Sequence, residues 1–372
     1  MYRLYPTKKQ LKALETTLEE CRWVYNNTLA YRKDAWEQEH RTVSYYESKA
    51  RLPLLKNERP SLKSVHAQVL QNVTERVELA FQAFFRRVKA DEKPGYPRFK
   101  GKYRYDSFTY PQSGFSITHD KRACLSKIGS IKMIYHRPIR GKVKTLTIHR
   151  SSTGKWYACF SVECEPLRLP KRPEQVGIDV GLKTFATLSD GHEVENPRFF
   201  RQEEKALAKV QRKHSKLAFG PPSRRKHRKA VARVHERTKF KRDNFTHQES
   251  RSIVDSYGLI VVEDLHTSRM VHNHCLAKSI ADAAWSQFFD KLSHKAEEAG
   301  RVFLKVNPAY TSQTCSACGH RQNMPLSERT FRCPCCHLSI DRDLNASKNI
   351  LRVGLYSLGI QPVEASAFTR GE

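Results

Sequence analysis

Long apolar runs are missing from this 372-residue chain, since no stretch approaches the ~18–20 residues that span a bilayer. The first six residues also lack the apolar core of a secretory signal. Six of the ten cysteines are scattered, which argues against a dense disulfide framework and suits a reducing compartment. We therefore expect a cytoplasmic protein with no membrane partner.

Acidic residues are scarce relative to basic ones, with 38 Asp and Glu against 67 Lys and Arg and a formal net charge of +29. Such an excess attracts polyanions and binds phosphate backbones by releasing counterions. A ribosomal or histone-like binder and a membrane-surface protein are competing interpretations, but no basic amphipathic helix of the membrane type is evident. The apolar fraction of 39% permits buried cores, and the length suits two or three domains. The charge predicts a nucleic-acid partner.

The hydrophobic pattern divides the chain into segments of different type. Helical periodicity covers residues 7–89 and, as one amphipathic helix, residues 280–296. Period-two alternation over residues 115–164 predicts a small antiparallel sheet or barrel. Residues 256–262 and 301–306 have the apolar composition of buried strands.

Two segments have the composition of nucleic-acid contacts. Residues 91–110 mix proline and glycine with alternating basic and aromatic residues, among them Arg98 and Lys100, although a solvated loop fits equally well. Residues 198–243 carry 17 Lys or Arg and four acidic residues, and predict a basic helical hairpin split near Gly220. A charge run is usually a solvated face, and a localisation signal is another interpretation. The candidate contacts in the hairpin are Arg224, Arg225, Arg228 and Lys229.

Four cysteines form two close pairs, Cys315 with Cys318 and Cys333 with Cys336. Two residues separate the members of each pair and 14 residues separate the pairs, which is the spacing of a tetrahedral four-thiolate zinc site. Cys335 is an additional thiol in the second pair, and His320 and His337 are alternative ligands. Because four thiolates leave no open position, we expect this Zn²⁺ to be structural.

Three carboxylates lie at the ends of predicted elements. Asp179 is in an apolar strand, Glu263 closes the apolar run before it, and Asp343 begins the last helix. Singly they suit a turn residue, a strand-end charge and a helix cap. Together they suit a different role, because a charge in or beside an apolar strand is unfavourable without a partner. Two divalent ions about 3.5–4 Å apart would be such partners and would allow hydrolysis of a phosphodiester bond. The sequence therefore predicts a catalytic and Mg²⁺- or Mn²⁺-binding triad.

The order of these motifs resembles the TnpB family of transposon-encoded RNA-guided endonucleases, relatives of compact type V CRISPR effectors. The resemblance spans nearly the whole chain. It is carried by Arg3-Leu-Tyr-Pro-Thr7, Gly177-Ile-Asp-Val-Gly-Leu-Lys183, Val262-Glu-Asp-Leu265, the two cysteine pairs and Asp341-Arg-Asp-Leu-Asn-Ala346.

The resemblance implies an α+β multidomain fold. A wedge β-barrel with an inserted helical recognition domain precedes an RNase H-like (RuvC) α/β domain with a helical lid and an inserted zinc ribbon. The implied boundaries are 1–10 and 111–172 for the barrel, 11–110 for the helical domain, 173–354 for the RuvC domain, 197–250 for the lid, 307–338 for the ribbon and 355–372 for a flexible tail.

The resemblance also implies function. Asp179, Glu263 and Asp343 match the metal-binding triad, with Asp341 in reserve, while Gln71 and Thr109 match residues that read a short target-adjacent DNA motif. The expected partners are an element-derived guide RNA and double-stranded target DNA, bound by a monomer that is nucleoid-associated in a prokaryotic cytoplasm. Both DNA strands are expected to be cut.

Three alternatives remain open. A nuclease-inactive, RNA-guided regulator would be expected to lack one of the three carboxylates. A relaxase-like transposase needs two histidines flanking an apolar residue, whereas His272 and His274 flank Asn273. A zinc-ribbon protein that only binds nucleic acid, as an accessory to transposition, would leave the carboxylates without a role.

Overall fold

The computed structural model describes residues 1–360 apart from 103, 219, 221 and 326. The chain divides into two compact units, Met1–Glu165 and a second that begins at Pro166. Among the described residues, no helix combines the length and apolar character needed to cross a bilayer.

The helical part of the first unit begins at Thr7, which forms a capping box with Gln10: the Thr7 hydroxyl accepts from the Gln10 amide, and the Gln10 side chain accepts from the Thr7 amide. Apolar residues at helical spacing then bury one face of the first helix against the fourth. The helices are α1 (Lys8–Glu39), α2 (Tyr45–Ala50), α3 (Leu52–Glu58) and α4 (Ala67–Lys89), with a 3₁₀ turn at Pro60–Ser64.

Seven antiparallel strands form the sheet of the first unit in the order β2-β6-β7-β1-β5-β4-β3. The Tyr110 hydroxyl on one edge strand donates to the Ser126 carbonyl, 3.0 Å away, and the Tyr110 ring meets Phe115 on the other edge strand. The two edges therefore approach each other and the sheet is barrel-like. Its strands are β1 (Tyr2–Tyr5), β2 (Ser107–Tyr110), β3 (Phe115–Ile117), β4 (Arg122–Leu125), β5 (Gly129–Met133), β6 (Lys142–Arg150) and β7 (Trp156–Glu163).

The second unit contains a five-stranded sheet in the order β10-β9-β8-β11-β12. The pairs β10–β9 and β9–β8 are antiparallel, and the pairs β8–β11 and β11–β12 are parallel. The near-continuous apolar composition of β8 and β11 reflects burial on both faces. These strands are β8 (Gln175–Val180), β9 (Thr184–Leu188), β10 (Glu193–Glu195), β11 (Leu259–Glu263) and β12 (Val302–Val306).

Helices cover both faces of this sheet. Ile260 and Val262 point toward one core, which includes residues of α6 and α9, while Leu259 and Val261 point toward a second core with α10. The helices are α5 (Phe199–Ser215), α6 (Pro222–Ser256), α7 (Thr267–Met270), α8 (His274–Ala283), α9 (Trp285–Ala299) and α10 (Arg342–Ser357), and a small hairpin pairs β13 (Thr330–Arg332) with β14 (Ser339–Asp341).

Three sequence-based expectations need correction. The single helix expected over 280–296 is wrong: α8 ends and α9 begins at Ala284, whose left-handed φ of 56° interrupts the helix. Strand β2 lies within 11–110, which was expected to be helical, because it pairs with β6 in the sheet. Residues 355–357, which were assigned to the expected tail, belong to α10, and Leu355 is buried. Residues 361–372 of that tail lie outside the described part.

Candidate functional site: a carboxylate edge and a four-cysteine cluster

Two of the three predicted carboxylates occupy matching positions on adjacent parallel strands. Val262 of β11 pairs with Ile178 of β8. The next residues, Glu263 and Asp179, therefore lie side by side where the two strands end. Parallel neighbours are about 4.8 Å apart, so both side chains leave the sheet on the same face.

Helix α10 covers that face and supplies the third carboxylate. A Cβ atom on Gly177 would lie 2.1 Å from the Ser347 carbonyl oxygen, so this close packing of α10 on β8 requires glycine. Because Gly177 and Asp179 are two residues apart on the strand, α10 packs on the face that carries Asp179. Asp343 lies one helical turn before Ser347, in the first turn of α10.

Asp341 and Asp343 differ in what their side chains do. Asp341 is the N-cap of α10, and its Oδ1 accepts from the amides of Asp343 and Leu344 at 2.8 and 3.1 Å. Asp343 has no capping role and carries a distant ion pair to Arg329, at 3.8 Å. Its carboxylate is therefore the more available of the two for a ligand.

The electrostatics place Asp179 under the influence of the other two carboxylates. Burial, followed by the negative charges of Glu263 and Asp343, raises the pKa of Asp179 well above its usual range. Burial also raises the pKa of Glu263 and of Asp343. Clustered carboxylates with raised pKa values mark a functional site or a site for cations. An all-oxygen donor set of this kind fits Mg²⁺ or Mn²⁺.

Thr311 is a residue of this site that the sequence analysis missed. Its hydroxyl donates to Glu263 Oε1 over 2.7 Å, in a buried contact, and this hydrogen bond lowers the pKa that burial raises. The residue lies in a polar stretch before Cys315 with no periodic or motif signal. Only the tertiary contact reveals it.

The four predicted cysteines converge in one cluster. Their sulfur atoms all lie within 4.8 Å of one another, with Cys315 3.6 Å from Cys336 and Cys318 3.5 Å from Cys333. Backbone hydrogen bonds from Cys336 and Cys335 lower the pKa of Cys333 to about 6, which favours the thiolate that binds zinc. The cluster can hold a zinc ion, whereas Cys335 and the rings of His320 and His337 are outside this group.

Two buried asparagines attach the segment before and within the first cysteine pair to α10. Asn345 Nδ2 donates to the Thr314 carbonyl at 2.8 Å, and its Oδ1 accepts from the Ser316 amide at 2.9 Å. Asn349 donates to the Thr311 and Thr314 carbonyls at 2.8 and 2.6 Å. The segment that carries Thr311 and the first cysteine pair is therefore fixed on the helix that carries Asp343.

The nucleic-acid candidates of the first unit have different environments. Thr109 accepts from Arg76 at 2.8 Å and shares a hydrogen bond with Thr147, so its hydroxyl has partners in the fold. Gln71 is half-buried on α4. Arg98 is exposed, and the ammonium of Lys100 lies 5.6 Å from the Tyr25 ring centroid. Their contacts with nucleic acid stay a prediction.

The basic hairpin consists of α5 and the much longer α6, which pack together. Arg228 and Lys229 are exposed near the start of α6, as is Arg225, while Arg224 is half-buried and donates to the Leu217 carbonyl at the end of α5. His272 and His274 are also exposed, and Asn273 between them caps α8. Among the described residues, neither histidine belongs to a group of side chains that could hold a metal ion.

The fold resembles that of a solved Cas12f1–guide RNA–target DNA complex, with a TM-score of 0.60 at 14% identity over 92% of this chain and 83% of the other. The structure therefore defines a mixed α/β protein of the Cas12f-like fold class, with a barrel-like sheet and a four-cysteine cluster. The family model described as "Cas12f1-like, TNB domain" matches residues 285–350, the part that contains this cluster.

Sequence relatives narrow this class to a family. The chain is 33% identical to a "Putative RNA-guided DNA endonuclease" of Streptomyces pristinaespiralis over 99% of this chain and 93% of the relative. It is 31% identical to the similarly described InsQ of Escherichia coli K12 over 95% and 91%. Identity of this extent shows that the chain belongs to the TnpB family of these relatives.

Two further family models match parts of the chain. The "Probable transposase" model matches residues 159–274, which include Asp179 and Glu263. The "Helix-turn-helix domain" model matches residues 1–41. In this structure those first residues form strand β1 and the single long helix α1 rather than two helices joined by a turn.

Proposed function

We propose that this protein is an RNA-guided DNA endonuclease of an insertion-sequence element, which hydrolyses phosphodiester bonds of target DNA after guide pairing and recognition of a short adjacent motif. The observation that carries the proposal is the shared environment of Asp179, Glu263 and Asp343 in a chain related over nearly its whole length to proteins described as RNA-guided DNA endonucleases. A nucleic-acid-binding role alone would leave this desolvated group without a purpose.

The sheet of the second unit supports an RNase H-like, RuvC-type domain. Its central strands β8 and β11 are parallel, β9 and β10 follow β8 in antiparallel order, and the carboxylates meet at the ends of the parallel pair. The barrel-like sheet is then the wedge domain, α1–α4 the recognition domain, the α5–α6 hairpin the lid, and residues 307–338 the zinc ribbon.

The carboxylates would hold the divalent ions. Two such ions, Mg²⁺ or Mn²⁺, supply an activated water and stabilise the leaving oxygen of a phosphodiester. Asp179 and Glu263 provide oxygens from adjacent strand ends, and Asp343 closes the group from α10. Thr311 donates to one of the two Glu263 oxygens and would thereby orient the carboxylate for the ions.

Charge and composition support the remaining partners. The net charge of +29 would balance the negative phosphates of a guide RNA bound by a monomer. Arg98, Lys100 and the hairpin cations Arg225 and Arg228 are among the expected phosphate contacts. Gln71 and Thr109 remain the candidate readers of the adjacent motif. A protein that acts on DNA in this way would work in the cytoplasm of a prokaryotic cell, at the nucleoid.

The test is to purify the protein, sequence the RNA that accompanies it, and offer double-stranded DNA matched to that RNA with Mg²⁺. We expect the wild type to cut, Asp179→Ala to retain the RNA without cutting, and Asp290→Ala, which removes an exposed carboxylate on α9, to cut normally. Cutting by Asp179→Ala would refute the active site. Binding of matched DNA without cutting by the wild type would indicate the nuclease-inactive regulator instead.

A further inference from the structure

A basic cavity of about 530 Å³ lies within the second unit, beside the β8–β9 turn. Its walls are the turn itself, the segment between β10 and α5, and the exposed side of α8. The volume is in the range of small-ligand pockets. Its charged lining consists of Lys183, Arg198, Arg201, Lys278 and Asp282, and Asn196 and Ser279 are the uncharged polar residues.

The acidic groups at this cavity are already engaged. Both Asp282 oxygens accept from the Phe200 amide, at 3.0 and 2.9 Å, and one lies 3.6 Å from Arg242. Glu204, just outside the lining, pairs with Lys278 and, at 3.5 Å, with Arg201. Glu204 therefore pairs with two of the four cations that line the cavity, although its single charge cannot balance both.

Lys183 and Arg198 supply the excess positive charge. Within the described residues, neither has a carboxylate within 4.0 Å. Two unpaired cations facing one cavity repel each other unless an anion lies between them. The lining therefore selects an anionic occupant.

The arrangement of these two cations is built into the fold. Arg198 has a left-handed backbone, with φ 48° and ψ 49°, which is costly for a residue with a side chain and is associated with functional sites. Asn196 stabilises it by accepting from the Arg198 amide at 3.2 Å, and its own amide group donates to the Leu182 carbonyl at 2.9 Å. Asn196 thereby joins the segment that carries Arg198 to the turn that carries Lys183.

Lys183 also links the cavity to the carboxylates. It follows Asp179 by four residues, in the turn that leaves the same strand end. A chain of phosphates that passes the triad would therefore meet Lys183 next.

We propose that this cavity binds a backbone phosphate of the DNA strand being cut, next to the scissile phosphate, through Lys183 and Arg198. The inference rests on the proposed function, because it assigns the strand that enters the carboxylate site. Cations fixed at that position align the strand so that the reactive phosphate lies over Asp179, Glu263 and Asp343. The guide RNA backbone is the competing occupant.

The test uses the RNA-loaded protein with Lys183→Gln and Arg198→Gln, and with Lys305→Gln as a matched control that removes an exposed lysine of β12. Loss of one charge-assisted phosphate contact should slow single-turnover cleavage about tenfold at unchanged RNA content. A binding assay that needs no cleavage uses a labelled single-stranded DNA in an Asp179→Ala background. Each cavity variant should reduce the slope of log K against log salt by about 0.7, whereas Lys305→Gln should not.

The outcomes separate this inference from the proposed function. If the wild type does not cut matched DNA, the proposed function fails. If the wild type cuts and both cavity variants match Lys305→Gln in rate and salt slope, the cavity assignment is overturned. Loss of guide RNA from the cavity variants would assign the site to RNA and also overturn it. Lys183→Arg, which keeps the charge, should restore most of the rate and thereby exclude a folding defect.

Discussion

The cysteine cluster and the carboxylate edge are both candidate metal sites of the second unit, yet they are assembled in opposite ways. The four cysteines come from two short turns only 14 residues apart, and neighbouring amides stabilise a thiolate. The three carboxylates come from two strands and a helix, 84 and 80 residues apart in sequence, and the charges of Glu263 and Asp343 raise the pKa of Asp179. A closed site built from nearby residues suits a structural metal ion, whereas an open site with repelling like charges suits catalysis.

Three residues connect the cysteine cluster to the carboxylate edge. Thr311, in the segment leading to the cysteines, donates to Glu263, while Asn345 and Asn349 fix that segment on the helix of Asp343. The cysteine module is thus positioned to hold the orientation of two of the three carboxylates. If the zinc module were independent of the carboxylate site, its loss would leave the carboxylates unaffected.

The largest expected effect separates Asp343 from its neighbour Asp341. Asp343→Ala should lower the single-turnover cleavage rate by on the order of 10⁴, as loss of a central catalytic group does. Asp341→Ala should cost only about 1 kcal/mol of stability through the lost helix cap, because its Oδ1 already accepts from two amides. Cleavage kinetics and thermal unfolding of both variants check this. Equal loss of cleavage would mean that Asp341 also binds the ions.

The next effect concerns the cysteine cluster. Cys318→Ser should remove the zinc and lower cleavage at least about tenfold, because structural zinc is coupled to local folding and the segment of Thr311 would lose its support. Cys335→Ser is the matched control, since this exposed thiol lies outside the cluster. Zinc content by atomic absorption and cleavage rate are the measurements. Full activity in zinc-free Cys318→Ser would show that the two sites are independent.

How far the sequence predicted these sites depends on how local each one is. The cysteine spacing is encoded within a few residues, and the structure brings the four sulfur atoms together. The strands that carry Asp179 and Glu263 were recognisable from their apolar runs, but their parallel register comes from tertiary pairing. The helix break at Ala284 has neither glycine nor proline to signal it.

Thr311 offers a finer way to probe the connection. Thr311→Val keeps the shape but removes a hydrogen bond to a charged group, worth about 1.5–3 kcal/mol, so cleavage at low Mg²⁺ should fall roughly 10- to 100-fold. Excess Mg²⁺ should recover part of the rate, since the defect is in carboxylate orientation. Thr311→Ser keeps the hydroxyl and should behave as wild type. Calorimetric binding of Ca²⁺ measures the site without turnover, and unchanged affinity in Thr311→Val would contradict this role.

The smallest expected effect is in the pH dependence of metal-free stability. Because the folded pKa of Asp179 is raised, its neutral form stabilises the fold at low pH, and that contribution is lost as the pH rises from about 4 through the raised folded value. In Mg²⁺-free buffer without a chelator, which leaves the zinc in place, amides of β8 and β11 should therefore exchange faster with rising pH in the wild type, after correction for intrinsic exchange, than in Asp179→Asn. Both proteins have the same general repulsion between positive charges at low pH, which a net charge of +29 makes large, so the comparison removes this contribution. Mg²⁺ should abolish the difference, because the ions stabilise the ionised carboxylates that metal-free burial penalises. The same titration should leave exchange in the zinc-loaded cysteine module unchanged, since thiolates held by a closed site take up no protons in this range.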